Sequence, residues 1–529
     1  MKMRKKYTTK NVELFWFFSL MTLILWVPLF HHSRVIGYSL LSADGLVLFL
    51  AVSAFSTFLT LISGWFHRIL RLSLSFLGGA VVIDYFLPQA DYVSWLWLVL
   101  VAGFFFFLYR FQLEALKIIC AFLLAFSVSD MFVVTKHISV QADESNVQSV
   151  QVNETLAGEP IVHIVLDAFQ GPNTIPAQAT DAGEVVREFL LRNGFHIYDG
   201  AYSRYRRTIG SLSAGLNFTP EQTDVRLNEK ITEKTDSSFA AELIENKSLD
   251  QALHKRGTAV IVQPNFLNTC IAGSENSGKT NCITYQINYF PLDQMQELTR
   301  FERLTLLFFV TLRESLIYKN FRHYTPFLWG DLPETVMSPV SGRVAAPVVQ
   351  RELSTLPRHS YFFYHTLATH SPFALNKNCK MRPITAWSTD DEPLTHQSRE
   401  IAFSRYGEQV QCVLSELAQI FDTIAKNPNL DKAVVLIHGD HASRLSTQKR
   451  ESQMTDRDII DNFSILFAAR SPMQSAGSSN DMVALDMLLK HYLGDDAKTK
   501  LSSAGIEPYI YMDKGNGLIE KRLLPKFLD

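Results

Sequence analysis

The sequence predicts an N-terminal bundle of five transmembrane helices followed by an α/β domain with a mostly parallel sheet. Three observations predict it. Long apolar runs fill the first 136 of the 529 residues. From Ile161 onward, short apolar runs alternate with helical patterns. Charged residues make up only 19% of the chain while Phe numbers 38, against about 25% charge in ordinary soluble proteins. The expected organisation is a transmembrane domain over 1–136, a linker over 137–160 and an extracytoplasmic domain over 161–529. Net charge is −2, from 50 basic and 52 acidic residues. A near-neutral balance gives no support for a nucleic-acid partner, which calls for a strongly basic surface.

The five expected spans are Leu14–Phe30, Gly45–Ser63, Leu72–Leu87, Val93–Tyr109 and Ile118–Val134. Each is close to the ~17–25 residues that cross a bilayer. A signal peptide has a single short apolar region, so five successive runs exclude that reading. Lys2, Arg4, Lys5, Lys6 and Lys10 precede the first span, Arg68 and Arg71 follow the second, and Arg110 and Lys117 follow the fourth. Basic loops stay cytoplasmic. The N-terminus is therefore expected inside, and everything after Val134 outside. Asp84 and Asp130 sit late in spans that run outward, which reads as the outer interface rather than an ion pathway.

In the second half, Ile161–Leu166, Ala259–Val262, Ser360–Tyr364, Ala433–Ile437 and Phe463–Phe467 read as buried strands. Glu184–Asn193, Leu249–Lys255, Ser398–Lys426 and Met482–Leu493 read as helices. Strands alternating with helices imply a parallel sheet covered on both faces. Of the five cysteines, Cys120 lies in a span and reads as a buried apolar residue. The other four allow three pairings. Cys270–Cys282 with Cys379–Cys412 is the expected one, in keeping with an oxidising compartment. Gly273–Thr280 (GSENSGKT) matches the phosphate-loop pattern letter for letter. A working loop needs a strand before it and a helix after it, and neither flank supplies one.

Chemistry-bearing residues gather at strand ends, where open α/β sheets bind ligands. Asp167 ends IVHIVLD. Thr208, in AYSRYRRTIGSLSAGLN, stands at an expected helix N-terminus, which favours an anion. His365 and His370 follow the strand in SYFFYHTLATHSPF, and Asp440 and His441 follow another in AVVLIHGDHASR. Two carboxylates, an imidazole and a hydroxyl suit one divalent metal ion, zinc or manganese. A threonine hydroxyl activated there is a nucleophile, and His365 or His370 would bind the phosphate or protonate the leaving group. Taken singly, Asp167 reads as a turn residue and Thr208 as a helix cap; their joint placement carries the chemical reading. His163, His438 and His491 are left as structural. Arg204, Arg206 and Arg207 flank Thr208 and read equally as anion ligands or as a solvated basic run.

On VLDAF, YSRYRRTIGSLSAGLN, HTLATHSPF and LIHGDHAS, the chain resembles the sulfatase-like branch of the alkaline phosphatase superfamily. Within it, the membrane-anchored lipoteichoic acid synthases and phosphoethanolamine transferases are the most similar in pattern. The resemblance spans roughly Ile161 to Ala468 and implies an alkaline-phosphatase-like α/β/α sandwich. It implies metal binding by Asp167, Thr208, Asp440 and His441, with Thr208 as a nucleophile that carries a phospho-intermediate. His370 matches a substrate-binding histidine, and His365 is a weaker match. Asp167 and His441 are each followed by alanine where the family often has glycine. The formylglycine signature C/S-x-P-x-R is missing at TIGSL, which argues against sulfatase activity.

The expected function is transfer of a phospholipid-derived head group through phospho-Thr208 to a cell-envelope glycan or lipid. Expected partners are the phospholipid donor, that acceptor and the membrane, at a bacterial inner membrane with the catalytic domain facing the periplasm or cell exterior. Phe301–Trp329 reads either as an amphipathic helix on the bilayer, with Arg303, Arg313, Lys319 and Arg322 near anionic lipid, or as a core helix. The alternatives are a phosphodiesterase or phosphatase using water, and a catalytically inactive lipid-binding envelope protein.

Overall fold

The computed structural model describes residues 2–35, 43–65, 117, 120, 121, 123–125, 138–142, 158–179, 181–218, 247–267, 269, 279–287, 297–313, 338–388, 394–448, 450–494, 507–513 and 519–526. The expected spans Leu72–Leu87 and Val93–Tyr109, and most of Ile118–Val134, lie outside these residues. The chain divides into two units. One comprises Met1–His137 with Phe290–Leu332, and the other Ile138–Tyr289 with Pro333–Asp529.

The first unit contains helices Lys2–Val35, Ala43–Trp65 and Arg300–Arg313. Two of the expected spans fall on the first two. Phe17, Leu20, Met21, Ile24 and Val27 are buried along the first helix, the three- and four-residue spacing of one helical face. Trp26 and Phe49 meet edge to face, with ring centroids 5.2 Å apart. Among the described residues, only Ala43–Ile62, which overlaps the expected span Gly45–Ser63, is long and apolar enough to cross a membrane, and Leu14–Val27 is a shorter apolar stretch.

The second unit is built on β1 (Ile138–Ala142), β2 (Ile161–Leu166), β3 (His196–Tyr202), β4 (Thr258–Pro264), β5 (Lys279–Tyr285), β6 (Ser360–Thr366), β7 (Val434–Gly439), β8 (Phe467–Arg470) and β9 (Gly477–Ala484). They form one sheet in the order β1-β5-β4-β6-β2-β7-β8-β3-β9. The block from β5 through β7 is parallel, while β1 and β8 run antiparallel to their neighbours. A separate hairpin pairs β10 (Tyr509–Asp513) with β11 (Ile519–Leu523).

Successive side chains of a strand point to opposite faces, and both faces here are apolar. Val162, Ile164 and Leu166 of β2 pack with Phe362 and Tyr364 of β6 on one face, under helices Ala182–Arg192, Ala346–Ser354 and His396–Lys426. Ile161 and Val165 pack with Tyr361 and Phe363 on the other, under helices Thr208–Asn217, Lys247–Arg256 and Leu485–Leu493. This is the expected α/β/α sandwich with a mostly parallel, mixed sheet.

Several sequence expectations are corrected. Ile138–Ala142, read as linker, is strand β1 and pairs with β5. Phe463 ends a helix, and the strand expected at Phe463–Phe467 begins only at Phe467. Met482–Ala484 closes β9 rather than opening the helix, which starts at Leu485. β9 was missed because its outer residues are polar and exposed, as an edge strand allows. Lys279 and Thr280 of the phosphate-loop pattern open β5, so no helix N-terminus follows them.

Cys379 and Cys412 form a disulfide, and Cys282 is disulfide-bonded with a partner outside the described residues. The Cys379–Cys412 bridge closes a loop of sequence separation 33. Replacing both cysteines by serine should lower stability by about 3 kcal/mol, read as a lower melting temperature of the full-length protein in detergent.

Candidate active site

Three adjacent parallel strands bring the site together. β2 lies between β6 and β7, with Leu166 in register with Thr366 and with Gly439. Asp167 follows Leu166, Asp440 follows Gly439, and His365 stands opposite Val165. The carboxyl ends of the strands therefore place three potential ligands side by side. The end of β7 passes close to the segment that follows β2: a Cβ at Gly439 would lie 2.3 Å from the Phe169 carbonyl oxygen. Glycine is required there by space.

Thr208 is the first residue of helix Thr208–Asn217. Its hydroxyl donates to Asp167 Oδ2 at 3.1 Å and lies 3.4 Å from His441 Nε2. His441 Nε2 is 3.4 Å from Asp167 Oδ1 and 3.7 Å from Asp440 Oδ2. His365 Nε2 is 3.2 Å from Asp167 Oδ2, and His370 Nε2 is 4.0 Å from Asp167 Oδ1. The structure thus brings Asp167, Thr208, His365, His370, Asp440 and His441 into one cluster around the Asp167 carboxylate.

Backbone contacts fix the carboxylates. Asp440 Oδ1 accepts from the amides of Ala168 (3.1 Å) and His441 (2.9 Å). Thr369 Oγ1 donates to the Asp167 carbonyl, and Ser211 Oγ of the Thr208 helix donates to the Asp440 carbonyl. Ala168 takes the left-handed backbone conformation, with φ 61°. That region favours glycine, which gives a physical reason for the glycine often found after the aspartate in the family that the sequence resembles.

The cluster fits a divalent cation. Asp167 Oδ1, Asp440 Oδ2 and both ring nitrogens of His365 are buried without a hydrogen-bond partner. One ligand atom from each of Asp167, His365 and Asp440 lies within 4.8 Å of the others. Unpaired buried carboxylate oxygens are costly unless a cation meets them. His365, read from sequence as a phosphate ligand or acid, is fully buried against the carboxylates and belongs to this donor group. Burial works to raise the Asp167 carboxyl, but His365, then His370 and His441, outweigh it and hold it well below the usual carboxylate range.

Hydrogen-bond partners assign the histidine tautomers. His441 Nδ1 donates to the Ala442 carbonyl (2.8 Å), which leaves the Nε2 lone pair facing Thr208 and the carboxylates. His370 Nδ1 donates to the Ser371 carbonyl (2.7 Å), so its Nε2 accepts from Arg444 Nη2 at 2.7 Å. His163 and His438, set aside as structural, form a buried chain. Tyr361 OH donates to His163 Nδ1 (2.8 Å), His163 Nε2 donates to His438 Nε2 (2.7 Å), and His438 Nδ1 donates to the Gly439 carbonyl (2.8 Å). This is the arrangement that closes with both rings neutral. Burial agrees, lowering His163 well below the ordinary range and His438 to about 4.

The arginine reading divides. Arg204 is buried, donating to Asp486 at 2.9 Å and lying 3.9 Å from the Tyr509 ring centroid, so it is not a substrate ligand. Arg206 bonds Asn462 at 2.7 Å and reaches Glu451 at 3.4 Å. Arg207 is exposed. The arginine that reaches the cluster is Arg444, which sequence reasoning missed. It closes the HGDHASR segment and has φ 58°, an unfavoured conformation of the kind found at functional sites.

No protein-family profile matches the chain, and no curated protein does. Solved structures do. A protein in the alkaline phosphatase superfamily from Vibrio parahaemolyticus shares 13% identity over 70% of this chain and 78% of its own, with TM-score 0.38. The zinc complex of the C-terminal periplasmic domain of EptC from Escherichia coli shares 12% over 75% and 97%, with TM-score 0.37. The 2-O GAG sulfatase BT1596 shares 11% over 67% and 77%, with TM-score 0.42. Of these three, the Vibrio parahaemolyticus protein is a member of the alkaline phosphatase superfamily.

Two outcomes follow from the geometry. Asp440→Asn should weaken binding of a divalent metal by at least about tenfold, with circular dichroism unchanged, as measured by competition with a chromogenic chelator. Ala168→Gly should stabilise the domain by about 1 kcal/mol through relief of the left-handed conformation, read as a higher melting temperature.

Proposed function

We propose that the chain is a membrane-anchored, metal-dependent phospho-group transferase that carries a phospholipid-derived head group on Thr208. The observation that supports it most directly is the Thr208 hydroxyl, held between Asp167 Oδ2 and His441 Nε2 at the mouth of a buried carboxylate pair. Asp167, Asp440 and His441, with Thr208 and His365, would hold one divalent ion, zinc or manganese. Such an ion supplies Lewis-acid stabilisation of charge on phosphoryl oxygens and lowers the pKa of a bound hydroxyl.

The chain's own residues do the rest. Asp167 orients the Thr208 hydroxyl toward the incoming phosphodiester. The Thr208 oxygen forms a bond to phosphorus, the bond from phosphorus to the lipid oxygen breaks, and diacylglycerol leaves with a proton. In the second half-reaction an acceptor hydroxyl attacks phospho-Thr208 and restores the free threonine. His370 is an acceptor at Nε2 and not a proton donor in this state, because Arg444 already donates there. Arg444 is placed to turn its donors to phosphoryl oxygens and leave His370 Nε2 free for the departing or arriving hydroxyl.

A membrane location is part of this reading. Asp44 stands at the start of the candidate span Ala43–Ile62. Arg300 Nε (2.6 Å) and Arg303 Nη2 (2.5 Å) hold it, and both arginines come from the excursion between β5 and β6. The start of this span therefore lies with residues that belong, in chain order, to the catalytic half. That agrees with an N-terminus on the cytoplasmic side and a catalytic domain on the periplasmic or outer side. The donor would be a phospholipid and the acceptor an envelope glycan or lipid.

Incubation of the metal-loaded full-length protein with phospholipid vesicles should add the mass of one phospho head group to the wild type and none to Thr208→Ala, by intact mass spectrometry. An unmodified wild type across several lipid classes, with metal bound, would sink the transferase reading. Arg444→Gln should lower kcat/KM about 10–100-fold, the worth of a hydrogen bond to a charged group. Arg444→Lys should recover part of that loss, in assays of diacylglycerol release.

A further inference from the structure

We infer that helix Arg300–Arg313, although inserted between two strands of the catalytic sheet, is seated in lipid and ties the catalytic unit to the bilayer. The inference rests on the membrane part of the proposed function. It takes that part further by naming a second attachment and the surface that makes it.

The helix has two faces. Leu306 and Leu307 are buried, and Arg303 turns inward to Asp44. On the opposite face Phe301 is 79% and Phe308 54% exposed. Positions 301, 305 and 308 share one helical stripe. The residue between the two phenylalanines is Thr305, and its hydroxyl donates back to the Phe301 carbonyl at 2.7 Å. The stripe thus shows no unsatisfied hydroxyl to its surroundings, as hydrocarbon demands.

The same device recurs on the neighbouring helices. Ser19 donates to the Phe15 carbonyl, Thr57 to that of Ser53 and Thr60 to that of Ser56. Those helices also carry large exposed apolar residues: Phe15, Leu46, Phe49, Leu50, Phe55 and Phe58. Water would not tolerate so continuous an apolar surface on a stable monomer, whereas lipid accommodates it. Helix Arg300–Arg313 packs against both of those helices, so Phe301 and Phe308 add to the apolar surface of the same unit. This continuity selects lipid as the occupant. The arginines expected to meet anionic lipid are partly reassigned, since Arg303, and Arg300 with it, is engaged with Asp44.

Connectivity gives the attachment its consequence. The chain passes between its two units after His137, before Phe290 and after Leu332. A single tether would leave the catalytic unit free to tumble above the membrane, and extra connections restrict that freedom. The segment that returns from the insertion leads into β6, the strand that carries His365.

The test uses the full-length protein in lipid nanodiscs, in a Cys120→Ser background so that a spin label reports one position. Labels are placed at Phe301→Cys and Phe308→Cys, with Phe55→Cys as the candidate-span reference and Met473→Cys as the aqueous reference. All four positions are exposed, so each label leaves the packed interior intact. Relaxation by oxygen is compared with relaxation by a water-soluble nickel chelate. The expected result is an oxygen preference at 301 and 308 that follows position 55. Labels at 301 and 308 that follow position 473, while 55 favours oxygen, overturn the inference and leave the membrane reading standing. A chelate preference at 55 as well overturns both.

Discussion

Two buried carboxylates at the ends of adjacent strands are the constraint on which the site depends. Asp167 closes β2 and Asp440 follows β7, and the parallel pairing of these strands fixes their separation. Like charges so placed repel, and each presents a buried oxygen with no hydrogen-bond partner. The protein supplies partial compensation in the Ala168 and His441 amides on Asp440 and in the histidines around Asp167. Hydrogen bonds orient these carboxylates but do not cancel two buried charges. A divalent cation does, and it would share the donor set with the Thr208 hydroxyl. In this way a packing decision in the sheet becomes a chemical specification.

The rest of the domain keeps that arrangement rigid. The Tyr361–His163–His438 chain runs beneath the sheet and ends on the Gly439 carbonyl, one residue before Asp440. Its polarity is set by the Gly439 carbonyl, which can only accept. Burial keeps both histidines uncharged, and with neutral rings every donor upstream follows from that carbonyl. On the other side of Thr208, the segment Ser203–Arg207 is pinned by Arg204 on Asp486 and by stacking of Tyr205 on Tyr511. The C-terminal hairpin therefore bears on the approach to Thr208. Ligand position in such a site tolerates little slack, and these contacts remove it from two directions.

How much of this was legible in the sequence depended on how local the signal was. IVHIVLD and AVVLIHGDH announce themselves as buried strands with a carboxylate at the end, because continuous β-branched runs mean burial on both faces. Thr208 was readable as a helix start. The place of His365 beside the two carboxylates was not, because which neighbour a strand residue faces is set by register with β2 and not by its own flanks. Arg444 was missed for a similar reason. It lies in an irregular loop, and its reach to His370 depends on a left-handed backbone that no composition signal marks. Arg204 looked like part of a basic run until Asp486, 282 positions away, proved to hold it. Strands β1 and β9 failed for want of apolar character, since edge strands have one solvated side.

The insertion between β5 and β6 shows the same limit at a larger scale. By sequence, Phe301–Trp329 is ambiguous between a core helix and a surface helix, since both need one apolar face. Over the described helix Arg300–Arg313 one face is buried and the other exposed, and the polar anchor has an unexpected partner. Asp44 opens the helix that holds the candidate span, where a carboxylate is favoured by the helix dipole and unwelcome to hydrocarbon. Two arginines from the insertion satisfy it, and their own charges are met in return. An ion pair of this kind contributes little stability in water. At the boundary of an apolar medium, removing either partner leaves the other charge stranded. The pair thus specifies where the insertion sits more than it strengthens the fold, and chemistry on a lipid headgroup would depend on that placement.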